Sequence, residues 1–204
     1  MKTVIFDIDG SIFDTKAGII ACLNDVLNHY GCCSILAEEQ NKYSGPAIKD
    51  SLVKFNGFTE EDAINATKEY REKYVEKYVE WSVPYNGLFE LLSYIKDKKY
   101  NLCIATMKTR NQVERLLEFF NIYEKFDMIE TAKYKGGYSK FDMLESIKSH
   151  FYDSDLYFVG DTAGDYKASL KADIMFVYAS YGYGVIDEVN GIVIESLDDL
   201  KNIL

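Results

Sequence analysis

The sequence is short of positive charge. Its 204 residues hold 23 Lys and Arg against 33 Asp and Glu, a formal net charge of −10. That balance disfavours nucleic acid and anionic membranes as partners, since both need a basic footprint. There is no apolar run near the ~20 residues that a membrane-spanning helix requires. No charged n-region or apolar h-region lies ahead of the first strand, so a cytoplasmic location is expected. Cys22, Cys32, Cys33 and Cys103 form no CxxC pair, and only His29 and His150 could join them as ligands. Free, structural thiols in a reducing compartment follow from that spacing. Internal repeats and low-complexity segments are also lacking. What remains is ample for a folded domain: 48% hydrophobic residues can fill a core, and 27% charged residues suit an ordinary soluble protein.

Along the chain, residues 17–30 place apolar side chains at helical spacing, with Gly31 just past the end. Pro46 reads as the first-turn proline of a helix over AIKDSLVKF. Thr59 and Asp62 resemble a capping box that starts a long helix to about Val79. Its aromatic series Tyr70, Tyr74, Tyr78 and Trp81 falls on one face, as packing against neighbouring helices would require. Residues 16–82 are thus expected to be wholly helical, up to the punctuation at Pro84 and Gly87. Beyond it the pattern changes to alternating short strands and helices. Asn86 is placed to cap a helix over Leu88–Lys98, and NLCIA, FDMIE, LYFVG, IMFVYA and IVI read as strands. A last helix is expected over Leu197–Ile203. The strands are continuous apolar runs, the pattern of a parallel sheet covered on both faces. The expected fold is α/β: a doubly wound, Rossmann-like parallel sheet formed by residues 1–15 and 83–204, with a small all-helical domain, residues 16–82, inserted after the first strand.

The first strand is followed at once by an unusual demand. In VIFDIDGSIFDT, residues 4–15, Asp7 and Asp9 flank a single isoleucine at the end of a buried run. Two such carboxylates repel unless a cation or a proton lies between them. In a doubly wound sheet, ligands bind beyond the carboxyl ends of the strands. There the second strand offers Thr106 with Lys108 behind it, a later helix opens at Ser139-Lys140, and LYFVG ends in Asp161 with Asp165 four residues on. A hydroxyl, lysines and four carboxylates at one edge suit phosphoryl transfer. The phosphoryl oxygens need positive charge around them while a carboxylate attacks in line, and a hard cation must bridge acid and phosphate. Taken singly, each of these residues is as well explained as a helix cap or turn.

The segments DIDGS, ATMK, SK and GDTAGD resemble the four ordered motifs of the haloacid dehalogenase superfamily. The resemblance spans essentially the whole chain, and the helical insert is similar to that superfamily's cap domain. SGPAIKDSL, VPYNGLFELL and SYGYG are similar to its phosphoglycolate phosphatase-like branch. The resemblance implies that Asp7 is a nucleophile forming an aspartyl-phosphate and that Asp9 is the general acid and base. It implies that Thr106 binds the phosphoryl group and that Lys140 neutralises it, with Gly10, Ser11, Met107 and Lys108 also on the substrate. Mg²⁺ would be held by Asp7, the Asp9 backbone carbonyl and Asp161, with Asp165 in support. Ser11 stands where the family usually has Thr, and Met107 where the branch more often has Ser. Lys133, Lys135 and Lys140 compete for the third motif, and Lys140 is chosen because it opens a helix.

The implied activity is a Mg²⁺-dependent phosphatase acting on a small phosphorylated metabolite, phosphoglycolate-like or a nucleotide, in a monomer or homodimer. A phosphosugar mutase or a pyrophosphatase on the same core is the alternative, as is a catalytically silent binding module. A dehalogenase ranks last, having no use for Asp9.

Overall fold

The computed structural model of the 204-residue chain describes all residues except 44–46 and 134–136. The first-turn role expected of Pro46 and the alternative lysine Lys135 lie outside the described residues. Two compact units divide the chain: Met1–Asp14 with Val83–Leu204, and Thr15–Ser82.

The larger unit is built on a six-stranded sheet. β1 (Lys2–Phe6), β4 (Asn101–Thr109), β5 (Met128–Ala132), β6 (Asp155–Gly160), β7 (Met175–Ala179) and β8 (Ile192–Ile194) lie in the order β5-β4-β1-β6-β7-β8. Every pairing is parallel, as the continuous apolar runs predict. β1 is central, and its register with both neighbours ends at Phe6, so Asp7 emerges beside the end of β6, while β4 runs on past it to Thr109. The helices α4 (Leu88–Asp97), α5 (Arg110–Phe119), α6 (Lys140–His150) and α7 (Ala163–Ala172) alternate with the strands. α6 and α7 cover one face, where Met143, Leu144, Ile147 and Ala168 pack against Ile5, Phe158 and Phe176. The intervening Val4, Phe6, Leu102 and Ile104 point to the other face, and they too are fully buried. Two short strands, β2 (Phe13–Asp14) and β3 (Val83–Pro84), pair antiparallel at the point where the chain leaves and re-enters this unit.

The smaller unit has helices joined by loops and no strand among its described residues. α1 (Lys16–His29) ends before Gly31, whose φ of +73° is the left-handed turn expected there. α2 (Ile48–Asn56) ends at Gly57, also left-handed. α3 (Glu60–Lys73) is capped by Thr59, whose side chain accepts from the Asp62 N–H. The same trajectory then continues as a π-turn at Tyr74–Tyr78 and a 3₁₀ turn at Val79–Trp81, where one α-helix to Val79 is expected from sequence. Tyr70 and Tyr74 are buried, with ring centroids 5.7 Å apart. Trp81 stays half exposed.

Two local expectations are corrected. The residue before α4 is Gly87 at φ +83°, not Asn86. The C-terminal segment Leu197–Asn202 is a 3₁₀ rather than an α-helix, closed by a Ser196–Asp199 capping box.

Candidate active site

At the carboxyl edge of the sheet, Asp7, Asp161 and Asp165 are all buried, and each offers a carboxylate oxygen within 4.8 Å of the other two. Asp7 follows β1, Asp161 follows β6, and Asp165 sits in the first turn of α7. There Asp165 completes a capping box: its Oδ2 accepts from the Thr162 N–H at 3.1 Å and from the Thr162 hydroxyl at 2.6 Å. The cap role and the site role therefore coexist in one side chain.

Lys140 enters from the start of α6, where Ser139 caps the helix. Its Nζ lies 2.9 Å from Asp7 Oδ1, 2.9 Å from Asp165 Oδ1 and 3.0 Å from the Ala105 carbonyl, to which it donates. The contact with Asp7 Oδ1 misses hydrogen-bond geometry, and that oxygen has no hydrogen-bond partner. Burial opposes the lysine's charge, but Asp165 and Asp7 outweigh it and hold the ammonium above its ordinary pKa. Lys133, by contrast, is exposed, with its ammonium 3.8 Å from the Tyr138 ring centroid.

The carboxylates are under electrostatic load. Burial pushes Asp7 up to about 6, opposed by Lys140 and reinforced by Asp165 and Asp9. Burial pushes Asp161 up to about 7, with repulsion from Asp7 and Asp165 adding and the N–H groups of Tyr183 and Gly184 opposing. Those N–H groups donate to Asp161 Oδ2 at 2.7 and 3.4 Å. Asp161 Oδ1 is buried with no hydrogen-bond partner. Three carboxylates against one ammonium leave two surplus negative charges when all are ionised. An all-oxygen donor set, two buried oxygens without hydrogen-bond partners and that surplus fit a hard divalent cation.

The other expected residues fall around this cluster. Asp9 keeps its side chain out of the triad and pairs with Lys108 at 2.9 Å. The opening puzzle of two neighbouring acids is thus resolved by separate lysines. Thr106 is buried, and its Oγ1 accepts from the Lys108 N–H at 3.4 Å. Ser11 is fully buried; its carbonyl accepts from the Tyr181 hydroxyl at 2.7 Å, while its own Oγ has no hydrogen-bond partner. Gly10 adopts φ +75°, and a Cβ there would come 2.1 Å from Asp161 Oδ2. Met107 is not gathered in, with 47% of its surface exposed.

Residues 181–184 are the part of the site that residue chemistry did not single out. Cβ atoms at Gly182 and Gly184 would lie 2.3 Å from Asp161 atoms, so only glycine lets this loop approach. Tyr183 donates its hydroxyl to Asp14 Oδ1 at 2.8 Å while its N–H holds Asp161. The alternation Tyr-Gly-Tyr-Gly was the available signal.

A family model described as haloacid dehalogenase-like hydrolase matches residues 4–179. Pyrophosphatase PpaX of Bacillus mycoides (strain KBAB4) is 27% identical over 131 residues, covering 64% of this chain and 60% of the relative. Tyrosine-protein kinase PtkA of Mycobacterium tuberculosis (strain H37Rv) is 28% identical over 216 residues, covering 100% of this chain and 72% of the relative. Among solved structures, a predicted phosphatase from Clostridium acetobutylicum superposes with a TM-score of 0.89 at 30% identity, covering 99% of this chain and 97% of that one.

Proposed function

This chain belongs to the haloacid dehalogenase-like hydrolases, and from that premise we propose that it is a Mg²⁺-dependent phosphatase of small phosphorylated metabolites. The carrying observation is the buried Asp7 at the end of β1, beside Lys140 and within the triad completed by Asp161 and Asp165. In this assignment the helical unit Thr15–Ser82 is the family's cap domain, and the substrates are those of a cytoplasmic enzyme.

Asp7 attacks phosphorus in line, forming the aspartyl-phosphate as the bond to the leaving oxygen breaks. Asp9 gives its proton to that oxygen. It then takes one from the water that attacks the phosphoryl group, which returns Asp7 to a carboxylate and releases phosphate. Lys140 and the Thr106 hydroxyl meet the phosphoryl oxygens. Asp7, Asp161 and the Asp9 carbonyl, with Asp165 behind them, would hold Mg²⁺, which would supply neutralising charge for the phosphoryl group.

The test is phosphate release from a panel of small phosphomonoesters, with pyrophosphate included because of the likeness to PpaX, in Mg²⁺ and in EDTA. Turnover of at least one compound, lost in EDTA and restored by Mg²⁺, is expected. So is a phosphoryl adduct, detected by mass on the peptide holding Asp7 and absent from Asp7→Asn. No turnover of any compound with Mg²⁺ present would refute the assignment in favour of a silent binding module.

A further inference from the structure

Lys108 was expected to meet substrate, but its surroundings suit another task. Its side chain is 5% exposed and its ammonium lies 2.9 Å from Asp9 Oδ1, whereas the Asp9 side chain is 23% exposed. A lysine is almost never fully buried unless it is paired, and the partner of Lys108 is Asp9. The strand explains the aim. Thr106 and Lys108, two residues apart in β4, are both buried, and the exposed Met107 lies between them. The pairing of β4 with β5 shifts register between Thr106 and Thr109, the kind of irregularity that re-aims side chains beside active sites. Lys108 is thereby turned inward to the strand-edge acid that follows β1.

We propose that Lys108 is a positioning residue for Asp9: its ammonium fixes one carboxylate oxygen, so that the other is presented to the leaving group and later to water. The proposal rests on the phosphatase assignment above. Lys108 itself keeps its protons throughout. The transferred proton passes from Asp9 to the leaving oxygen as the P–O bond breaks, and a water proton replaces it on Asp9 in the second step. Misplacing a catalytic group by about 1 Å can cost on the order of 10²-fold in rate.

The experiment compares kcat/KM for an alkyl phosphate and for p-nitrophenyl phosphate, whose leaving group needs no proton, in wild type, Lys108→Met, Asp9→Asn and the double variant. kcat/KM reports the steps up to phosphorylation of Asp7. Lys108→Met is expected to lose about 10²-fold with the alkyl ester and only a few-fold with the activated ester. In the Asp9→Asn background the same change should add almost nothing, because the acid it positions is gone. Equal losses with both esters, or losses that multiply in the double variant, would overturn the proposal and return Lys108 to substrate contact. If circular dichroism finds Lys108→Met unfolded, Lys108→Gln, which keeps a donor for Asp9, is held to the same two criteria. A wild type that turns over neither these esters nor any compound of the panel brings down the phosphatase assignment itself, a result that needs no variant and so is distinct from failure of the Lys108 role.

Discussion

Replacing Asp161 by asparagine should make the metal-free protein more stable at neutral pH while abolishing its response to Mg²⁺. Asp161 is fully buried, one oxygen held by backbone N–H groups and the other unpartnered beside two further carboxylates. Its carboxyl sits at about 7, against an ordinary 3.8. Folded protein therefore holds this proton more tightly than unfolded chain does, and between about pH 4 and pH 7 the native state binds more protons. Stability from this group is fully present below about pH 4 and is lost as pH rises to about 7. A shift of roughly three units at about 1.4 kcal/mol each makes the ionised form about 4 kcal/mol unfavourable above that range.

Asparagine removes that penalty. Its carbonyl can accept the Tyr183 N–H, and its amide can donate toward Asp7 and Asp165. Realising half of the penalty would already raise Tm by about 4–8 °C, at about 2–4 °C per kcal/mol for a chain of this size. At about pH 4.5 the gain should shrink to roughly 1 kcal/mol, because the native aspartic acid is then mostly neutral. The assay is thermal unfolding followed by circular dichroism in EDTA at both pH values, repeated with excess Mg²⁺. Wild type should gain about 2.7 kcal/mol at a cation concentration 100 times its Kd, and the variant should gain nothing. An Asp161→Asn protein less stable than wild type in EDTA at neutral pH, or one still stabilised by Mg²⁺, would refute the reasoning.

Lys140→Met should cost on the order of 10²-fold or more in turnover and about 3–5 kcal/mol in stability, because it leaves Asp7 and Asp165 facing each other without the ammonium between them. Lys133→Met, at an exposed position, should change neither; steady-state kinetics and melts on both variants decide, and the reverse pattern would move the third motif. Gly182→Ala should lower Tm and weaken Mg²⁺ binding by calorimetry, since its Cβ would come within 2.3 Å of Asp161 Cβ and 2.5 Å of the Gly10 carbonyl, overpacking of a kind that typically costs about 1–3 kcal/mol. Gly31→Ala, with open space but a left-handed φ, should cost only about 1 kcal/mol and leave Mg²⁺ binding unchanged.

The strands and the acids were legible because each is written locally. Continuous apolar runs of four to six residues suit a buried strand, and their alternation with helices points to a parallel sheet, though not to its strand order. β4 was legible only to Ala105. It continues to Thr109 through Thr106 and Lys108, polar residues buried because they face the site, and hydrophobic pattern cannot anticipate them. The long helix of the smaller unit was legible in trajectory but not in pitch. A 3.6-residue pattern does not register a π-turn at Tyr74–Tyr78, where the fully buried Tyr74 meets Ser82 with its hydroxyl at 3.4 Å. Asn86 was favoured as a cap by its side chain, yet the chain instead uses the left-handed φ that Gly87 tolerates. In the site, the partners escaped notice rather than the acids. Lys108 reaches Asp9 from the neighbouring strand β4, about 100 residues away in sequence, and the donors on Asp161 are backbone N–H groups, which have no sequence signature of their own.

That division of partners has a consequence for how the site meets an anion. Asp9 and Lys108 balance each other, and Lys140 balances one member of the triad, so the surplus of two negative charges resides on Asp7, Asp161 and Asp165. Two unit charges 4 Å apart interact with about 4 kcal/mol near a protein surface, and a phosphate dianion would face several such terms at once. Lys140 offsets them only in part, because its single positive charge is already shared by Asp7, Asp165 and the Ala105 carbonyl. Two routes relieve the surplus: protonation of the raised carboxyls, which removes Asp7 as a nucleophile, or a divalent cation, which leaves it ionised. Only the second is compatible with attack on phosphorus. A phosphate monoester should therefore bind weakly to the metal-free protein at neutral pH and more tightly as pH falls, while Mg²⁺ should reverse that pH trend. Calorimetric titration with inorganic phosphate, in EDTA and in Mg²⁺ at two pH values, measures this directly. Equal phosphate affinity with and without the cation at neutral pH would show that the triad carries no surplus charge.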